Sequence, residues 1–379
     1  MSRVASEPNR PLKNKRHLER IRTARDFPPI SCVDLFCGIG GLTHGFVKEG
    51  LCVDAGIDLD SRYRFGYEAN NDAAFIESDI ESIRPKEVRD LFSPNSFKLL
   101  AGCTPCQPFS TYSQRYDQRN DDRWGLLYGF GDLVSEIQPD VVTMENVPSL
   151  ALQTVFVDFV GLLRVIGYFV WFDVVDSTDY GVPQSRERLV LIASRHGAIE
   201  LVAPTVRRSR TVRQAIGDLS PIEAGGRSPR DRLHVAASLS PLNLKRIRAS
   251  KPGGTWRDWP SRLVAECHRE KSGRTYTSVY GRMSWDEPAP TITTQCYGYG
   301  SGRFGHPQQD RAISLREAAI LQGFPRRYRF LSPEAPVEFT PIGRMIGNAV
   351  PVGLARAIAK SIREHLATKT GPKRRRSMN

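Results

Sequence analysis

Ser31-Cys32-Val33-Asp34-Leu35-Phe36-Cys37-Gly38-Ile39-Gly40-Gly41 is the stretch on which the reading of this 379-residue chain turns. Its first six residues form a short apolar run of strand length, and a glycine-rich turn follows at once. Beyond the turn, Leu42, Gly45 and Phe46 share a helical face until Gly50 stops the pattern. A strand, a glycine turn and a helix in that order let backbone N–H groups approach a ligand at the helix start. A dinucleotide fingerprint begun at Gly38 would need glycine where Thr43 stands, so a nicotinamide site is disfavoured.

The alternation continues. Leu51–Ile57 reads as a strand ending in Asp58, a third candidate strand precedes Asp79, and Phe97–Ala101 runs into a Pro-Cys turn. Gly131–Gln138 and Thr154–Ile166 have helical spacing, while Val141–Met144, Phe169–Val175 and Arg188–Ala193 read as strands. This is the α/β pattern of an open, mostly parallel sheet with helices on both faces. Between about 200 and 290 the rhythm breaks into Arg, Ser, Pro and Gly, which predicts a second, irregular domain. Order returns where Ser314 and Glu317 spell a capping box and Gly323 ends the helix. Pro351 opens a last helix with Leu354, Ile358, Ile362 and Leu366 on one face.

Charge is divided unevenly. Residues 30–194 hold 13 basic and 24 acidic side chains, whereas 195–290 hold 18 and 9. Both ends, 1–29 and 369–379, are basic arms, and the whole chain carries +13. Such asymmetry suggests a polyanion engaged by one part of the molecule; the plainer alternative is a solvated basic surface. No stretch approaches the roughly 20 apolar residues of a membrane span, and the start lacks the apolar run of a secretory signal. Seven cysteines, scattered except for Cys103 and Cys106, make no disulfide framework, so a reducing compartment is expected. A cytoplasmic location is the expectation, although Lys373-Arg374-Arg375-Arg376 also matches the loose pattern of a nuclear signal.

Four segments carry chemistry. Asp58 is placed to take two ribose hydroxyls and Asp79 to accept from an adenine amino group; each could equally cap a helix. Gly102-Cys103-Thr104-Pro105-Cys106-Gln107-Pro108-Phe109-Ser110 presents a cysteine between prolines that restrict the backbone, a suitable nucleophile. A zinc site would need a second cysteine pair that the chain does not provide, so no metal is expected. Glu145 again lies at a strand end before a proline turn. Strand carboxyl ends converge on one crevice in such sheets, so Asp58, Cys106 and Glu145 should line a common site.

Asp34–Gly41, Pro105-Cys106-Gln107, Glu145-Asn146-Val147, Gln184-Ser185-Arg186-Glu187-Arg188 and Gly347-Asn348-Ala349-Val350-Pro351 occur in this order. Together they resemble the ordered blocks of the DNA (cytosine-5)-methyltransferases, and Asp286–Thr294 looks like the block that follows their target-recognition region. The resemblance spans about 30–195 and 280–368. It implies a Rossmann-like methyltransferase domain made of 30–195 and 341–368, with 196–340 inserted as a smaller target-recognition domain.

The resemblance implies S-adenosylmethionine over Phe36, Gly38, Ile39, Gly40 and Gly41. Asp58 would hold its ribose, Asp79, Ile80 and Leu59 would meet its adenine, and Leu126, Asn348, Ala349 and Val350 would complete the pocket. Many members place an aromatic where Leu59 stands. Catalysis would fall to Cys106 as nucleophile at C6, Glu145 at N3, Arg188 at O2 and Arg186 beside the flipped base. The expected partner is double-stranded DNA, contacted by Gln107, Ser110, Arg227, Arg230, Arg257, Arg274 and Arg282, with Arg186 a further candidate for the DNA backbone. A monomer is expected, together with a cognate restriction endonuclease acting on the same site. A tRNA cytosine methyltransferase is the rival for the same chemistry, but the Cys-Phe-Thr element of that branch is not evident. A non-catalytic DNA-binding relative is opposed by the intact Cys106, Glu145 and Arg188.

Overall fold

The computed structural model describes residues 29–105 and 125–369. Chain order is β1 (Ile30–Leu35), α1 (Gly41–Lys48), β2 (Cys52–Asp58), α2 (Arg64–Asn70), β3 (Ala74–Glu77), α3 (Pro85–Arg89) and β4 (Phe97–Gly102). Then come α4 (Gly125–Ile137), β5 (Val141–Asn146), α5 (Thr154–Val165), β6 (Phe169–Asp176) and β7 (Glu187–Ser194). Among the described residues these strands make one seven-stranded sheet of order β3-β2-β1-β4-β5-β7-β6. Strands β1 to β5 pair in parallel, whereas β7 runs antiparallel to both β5 and β6. The order reverses around β1, and a ligand crevice forms at such a reversal.

Both faces of the inner strands β1, β4, β5 and β7 are covered, which is why these read as continuous apolar runs, whereas edge strand β6 leaves Phe169, Phe172 and Val174 exposed. In β1, Val33 and Leu35 face α4 and α5, packing with Phe130, Leu133, Phe156 and Phe159. Cys32 faces the other way, toward Phe46 of α1 and Leu354, Ile358 and Ile362 of the carboxy-terminal helix. That helix, Val352–Ala367, thus returns to the first strand it met in sequence. A methyl on Gly45 would lie 2.4 Å from the Ala355 Cβ, so glycine is what lets these two helices touch.

The stretch after β7 is sparse in regular structure, as its composition predicts. It contains α6 (Val212–Ile216), α7 (Pro241–Ala249) and several single 3-10 turns before α8 (Leu315–Leu321). Its main apolar cluster joins α6, α8 and α9 (Phe339–Asn348) to Ile39 of the glycine turn and to Val352, the first residue of α10 (Val352–Ala367). A smaller cluster packs Ile247, Trp256, Trp259, Tyr299 and Ala312. Helix α9 was not legible: Pro341, Gly343 and Gly347 mask it, yet the proline sits in its first turn, where a missing N–H costs little.

The capping box is present as predicted, with Glu317 N–H on Ser314 Oγ at 3.1 Å and Ser314 N–H on Glu317 Oε2 at 2.6 Å. Glu317 does more than cap. Its carboxylate takes a two-pronged bond from fully buried Arg311 at 2.7 and 2.8 Å, which holds the Glu317 carboxyl below its usual range against the opposing effect of burial. Breaking a buried pair strands a charge, at a cost of about 3–5 kcal/mol. Glu317→Ala should therefore lower urea stability by that much, whereas Asp218→Ala, at the exposed pair with Arg326, should change it by at most about 1 kcal/mol.

Candidate functional site

The carboxyl ends of β1, β2, β4 and β5 open into a cleft of about 540 Å³. Phe36–Ile39 and Gly41 form one wall, Asp58 and Leu59 the next, and Asp79 with Ile80 follow from the end of β3. Cys103–Pro105, Leu126, Glu145, Arg186, Arg188 and Asn348–Val350 close it. Residues from distant blocks thus meet in one space.

The turn after β1 is held open by its backbone. Phe36 has φ 56, Gly38 φ 52 and Gly40 φ 87, all left-handed, and such strain in a non-glycine such as Phe36 clusters at functional sites. A Cβ on Gly38 would meet nothing within 4 Å, so this glycine leaves space beside the chain. Gly40 differs from expectation: it does not line the cleft. A Cβ there would press on Asn71 and Tyr67 at 2.9 Å, so its role is to shape the turn and accept the His44 N–H at 2.8 Å. Gly41 is squeezed from the opposite side, since a Cβ would lie 2.4 Å from the Val350 carbonyl.

Three carboxyl groups sit at strand ends, and burial raises the pKa of each. Asp58 accepts the Gly38 N–H on one oxygen at 2.9 Å and the Asp60 N–H on the other at 3.0 Å. Asp34, read only as part of the turn motif, is fully buried at the end of β1 and pushed up to about 7. Its Oδ2 takes a 2.6 Å bond from the Thr43 hydroxyl, while its Oδ1 has no hydrogen-bond partner among the described residues. Glu145 is buried with Oε1 2.9 Å from Arg188 Nε; desolvation raises its carboxyl while Arg188 and Arg186 pull it down.

Asn146 holds the strand ends together. Its amide donates to the Thr104 carbonyl at 3.0 Å and to the Thr104 hydroxyl at 3.1 Å, fixing the chain two residues before Cys106. Cys106, Gln107 and Ser110 themselves lie outside the described residues. Tyr63, which sequence reading did not single out, lines the cleft near Leu59 and supplies an aromatic face there.

Two arginines depart from their expected roles. Arg186 is buried, and its terminal nitrogens donate to the Ile292 and Gly347 carbonyls, each at 2.8 Å. It positions the cleft wall rather than reaching out to a DNA phosphate. Arg282 is also buried, donating to the carbonyls of Ile247, Ser250, His306 and Gln309 and pairing with Asp310. A side chain so committed cannot read a base edge. Arg227, Arg230, Arg257 and Arg274 are exposed.

A family model for the C-5 cytosine-specific DNA methylases matches residues 30–364. The chain belongs to that family. It is a DNA cytosine-5 methyltransferase, and the family implies S-adenosylmethionine as methyl donor. It is 52% identical over 339 residues to the type II methylase M.HgiDII of Herpetosiphon aurantiacus, covering 88% of this chain and 95% of that one. The type II methyltransferase M1.BsuMI of Bacillus subtilis is 32% identical, over 87% of this chain and 79% of its own length. Among solved structures, S. pombe Dnmt2 methyltransferase superposes with a TM-score of 0.56 at 16% identity, covering 90% of this chain and 99% of that one. That likeness is one of fold. Among the described residues, no helix is long and apolar enough to cross a membrane.

The cleft of the methyltransferase suits that donor. It offers an open glycine turn, buried carboxylates with spare acceptor capacity and apolar walls at Ile80 and Val350. Asp34 carries a cost in stability. An acid raised in the folded protein above its unfolded value makes folding take up a proton between the two values. Stability should therefore fall as pH rises from about 4 to about 7 and level off above. Asp34→Asn should flatten that slope and stabilise the ligand-free protein at pH 8 by on the order of a few kcal/mol, read from urea unfolding. Loss of the slope together with weaker S-adenosylhomocysteine binding would identify the carboxylate as part of the cofactor pocket.

Proposed function

We propose that this methyltransferase modifies carbon 5 of a flipped-out cytosine within one specific duplex sequence, through a covalent bond from Cys106 to C6. The observation that carries the reading is the Glu145–Arg188 pair, buried at the end of β5 in the same cleft as the glycine turn. Burial raises the Glu145 carboxyl against the pull of Arg188 and Arg186, which favours the protonated form that a donor to ring N3 needs. Arg188 beside it would bind the ring's O2, and Arg186 behind would hold the wall in place.

S-adenosylmethionine, when bound, supplies an electrophilic methyl group on sulfonium. Phe36, Gly38, Ile39 and Gly41 would pack along it, Asp58 would hold its ribose, Asp79 and Ile80 its adenine, and Leu126 with Asn348–Val350 would finish the enclosure. Tyr63 would supply the aromatic wall that Leu59 does not. Cytosine C5 is a weak carbon nucleophile until a thiolate adds at C6. With Cys106 bonded there and Glu145 protonating N3, C5 becomes enamine-like and takes the methyl group. A base or water then removes the C5 proton, and Cys106 leaves by elimination.

A stacked base is out of reach of this chemistry, so the cytosine must leave the duplex at a cost of roughly a few kcal/mol. Gln107 and Ser110 would contact the backbone beside it. The segment 196–340 would act as the recognition domain, with Arg227 and Arg230 at base edges, and 30–195 with 341–368 as the catalytic domain. A monomer working beside a restriction endonuclease of the same specificity fits the type II relatives.

Covalency is the direct test. Duplex DNA carrying 5-fluorocytosine at the target should trap a denaturant-resistant adduct, because fluorine blocks elimination. Cys106→Ala should lose turnover and adduct while still binding DNA; an adduct that survives the substitution would exclude Cys106. Running labelled methyl transfer on duplex DNA and on tRNA side by side would expose an RNA substrate.

Glu145→Gln keeps the shape but not the proton. Methyl transfer should fall by roughly 100-fold or more, with cofactor affinity little changed. If cofactor binding were lost instead, Glu145 would belong to the donor pocket.

A further inference from the structure

A second recess lies on the segment between α7 and α8 and shares no lining residue with the catalytic cleft. Its volume is about 520 Å³, against the roughly 30 Å³ that one water takes in the liquid. Arg257, Arg269 and Arg274 line it, together with Trp256 and His268. The Trp256 and His268 rings stack with centroids 4.5 Å apart and only 5° between planes, and the Arg257 guanidinium lies 5.7 Å from the Trp256 ring centre.

Two features set the recess apart. Arg213, Arg248 and Arg326 elsewhere on this part of the chain each face an aspartate. Among the described residues, Arg257, Arg269 and Arg274 face no carboxylate at ion-pair distance. The second feature is His268, buried at 6% exposure: Nδ1 donates to the Gly273 carbonyl at 3.1 Å, while Nε2 is buried without a hydrogen-bond partner among the described residues. Unsatisfied buried nitrogen is rare in folded proteins; with Nδ1 donating, Nε2 carries the lone pair and has no exposed surface, so His268 serves the stack on Trp256 and the arginines alone face a ligand.

We propose that this recess is a docking site for a DNA backbone phosphate, which makes Arg257, Arg269 and Arg274 sequence-independent anchors rather than readers of bases. The inference rests on the reading of the chain as a DNA-acting enzyme. Geometry separates the two roles. Arg257 already gives one Nη2 hydrogen to the Arg274 carbonyl at 3.0 Å, and Arg269 gives one to the Ser261 carbonyl at 2.9 Å. Guanidinium groups tied to the main chain cannot extend as free forks to the O6 and N7 of guanine. Their remaining N–H donors, spread around a concave recess, match the several acceptor oxygens of a phosphate. Arg274 has no such tie and is assigned by its place in the recess, which exposed Arg227 and Arg230 do not line, so that these two keep the reach of base readers.

The experiment measures affinity of the full chain for a fluorescent duplex containing the methylation target, and for a scrambled duplex, across a salt series. Arg269→Ala and Arg274→Ala should each weaken both duplexes by the same factor and lower the slope of log affinity against log salt by about one. For the arginine variants, S-adenosylhomocysteine affinity and turnover at saturating DNA should stay at wild-type values, with only the KM for DNA raised. Slopes unchanged in both arginine variants would overturn the proposal, as would a loss confined to the target duplex, the mark of base reading. Wild-type protein that methylates no duplex would instead defeat the functional reading, an outcome the salt slopes record separately.

Discussion

The site depends on a set of hydrogen bonds made by two buried side chains of the loop between β6 and β7. Gln184 accepts the Ile292 N–H at 2.7 Å and donates to Gln322 at 2.7 Å, and Gln322 in turn donates to the Ala349 carbonyl at 2.5 Å. Arg186 bridges the Ile292 and Gly347 carbonyls. These bonds tie the last strands of the sheet to the end of α8, to the Pro288–Thr294 stretch and to the turn before α10. The chain leaves the sheet after β7 and must return to it more than a hundred residues later. Loop closure over that length costs entropy that only specific contacts offset. An amide and a guanidinium inside the protein are strong holders because leaving either unpaired there would itself cost about 1–3 kcal/mol.

Once the chain is closed, close packing sets the shape of the cleft. Gly41 against the Val350 carbonyl, Gly45 against Ala355 and Gly347 against Thr293 leave no room for a Cβ. The turn after β1 is thereby held against the turn before α10, and Tyr328 reinforces it from below with a 2.6 Å bond to the Ile39 carbonyl. Into that rigid frame the strand ends place Asp34, Asp58 and Glu145, three acids that burial pushes toward the neutral form. They are poor choices for stability and good ones for holding a cation and moving a proton. The buried Arg311–Glu317 pair is the opposite case, satisfied on every side and remote in role from the chemistry.

Strands, the glycine turn, the Ser314 capping box and the last helix were legible because each has a local cause. Apolar runs mark strands covered on both faces, and Leu354, Ile358, Ile362 and Leu366 recur at helical spacing because one face of α10 is buried in the core. Convergence of Asp58 and Glu145 was legible too, since strand ends in a parallel sheet face one crevice, while Asp79 and Arg188 were expected there from the family resemblance. What failed to show was anything fixed by distant packing. Gly40 looks like its neighbours in sequence, but only the position of Tyr67 tells which way it turns. Asp34 has no local mark of its burial, and its strained neighbour Phe36 none of its left-handed backbone.

Arginine shows the limit most clearly. Arg227, Arg230, Arg257, Arg274 and Arg282 are alike in sequence as members of a basic, turn-rich segment, and Arg186 stands just before it, yet the structure divides them by what holds their nitrogens. Arg186 and Arg282 spend theirs on main-chain carbonyls inside the protein, where a lysine could offer neither the planar fork nor the number of donors. Arg257 is tied only in part and leans on an indole, and Arg227 and Arg230 are exposed. A surplus of positive charge therefore measures two different things: a polyanion partner outside, and carbonyl groups inside that an irregular fold leaves without strand or helix partners. In a segment with so little regular structure the second demand is large, because every buried carbonyl must be satisfied somewhere. Net charge alone overstates the DNA-facing surface for that reason, and the count of arginines free to meet DNA follows only from the fold.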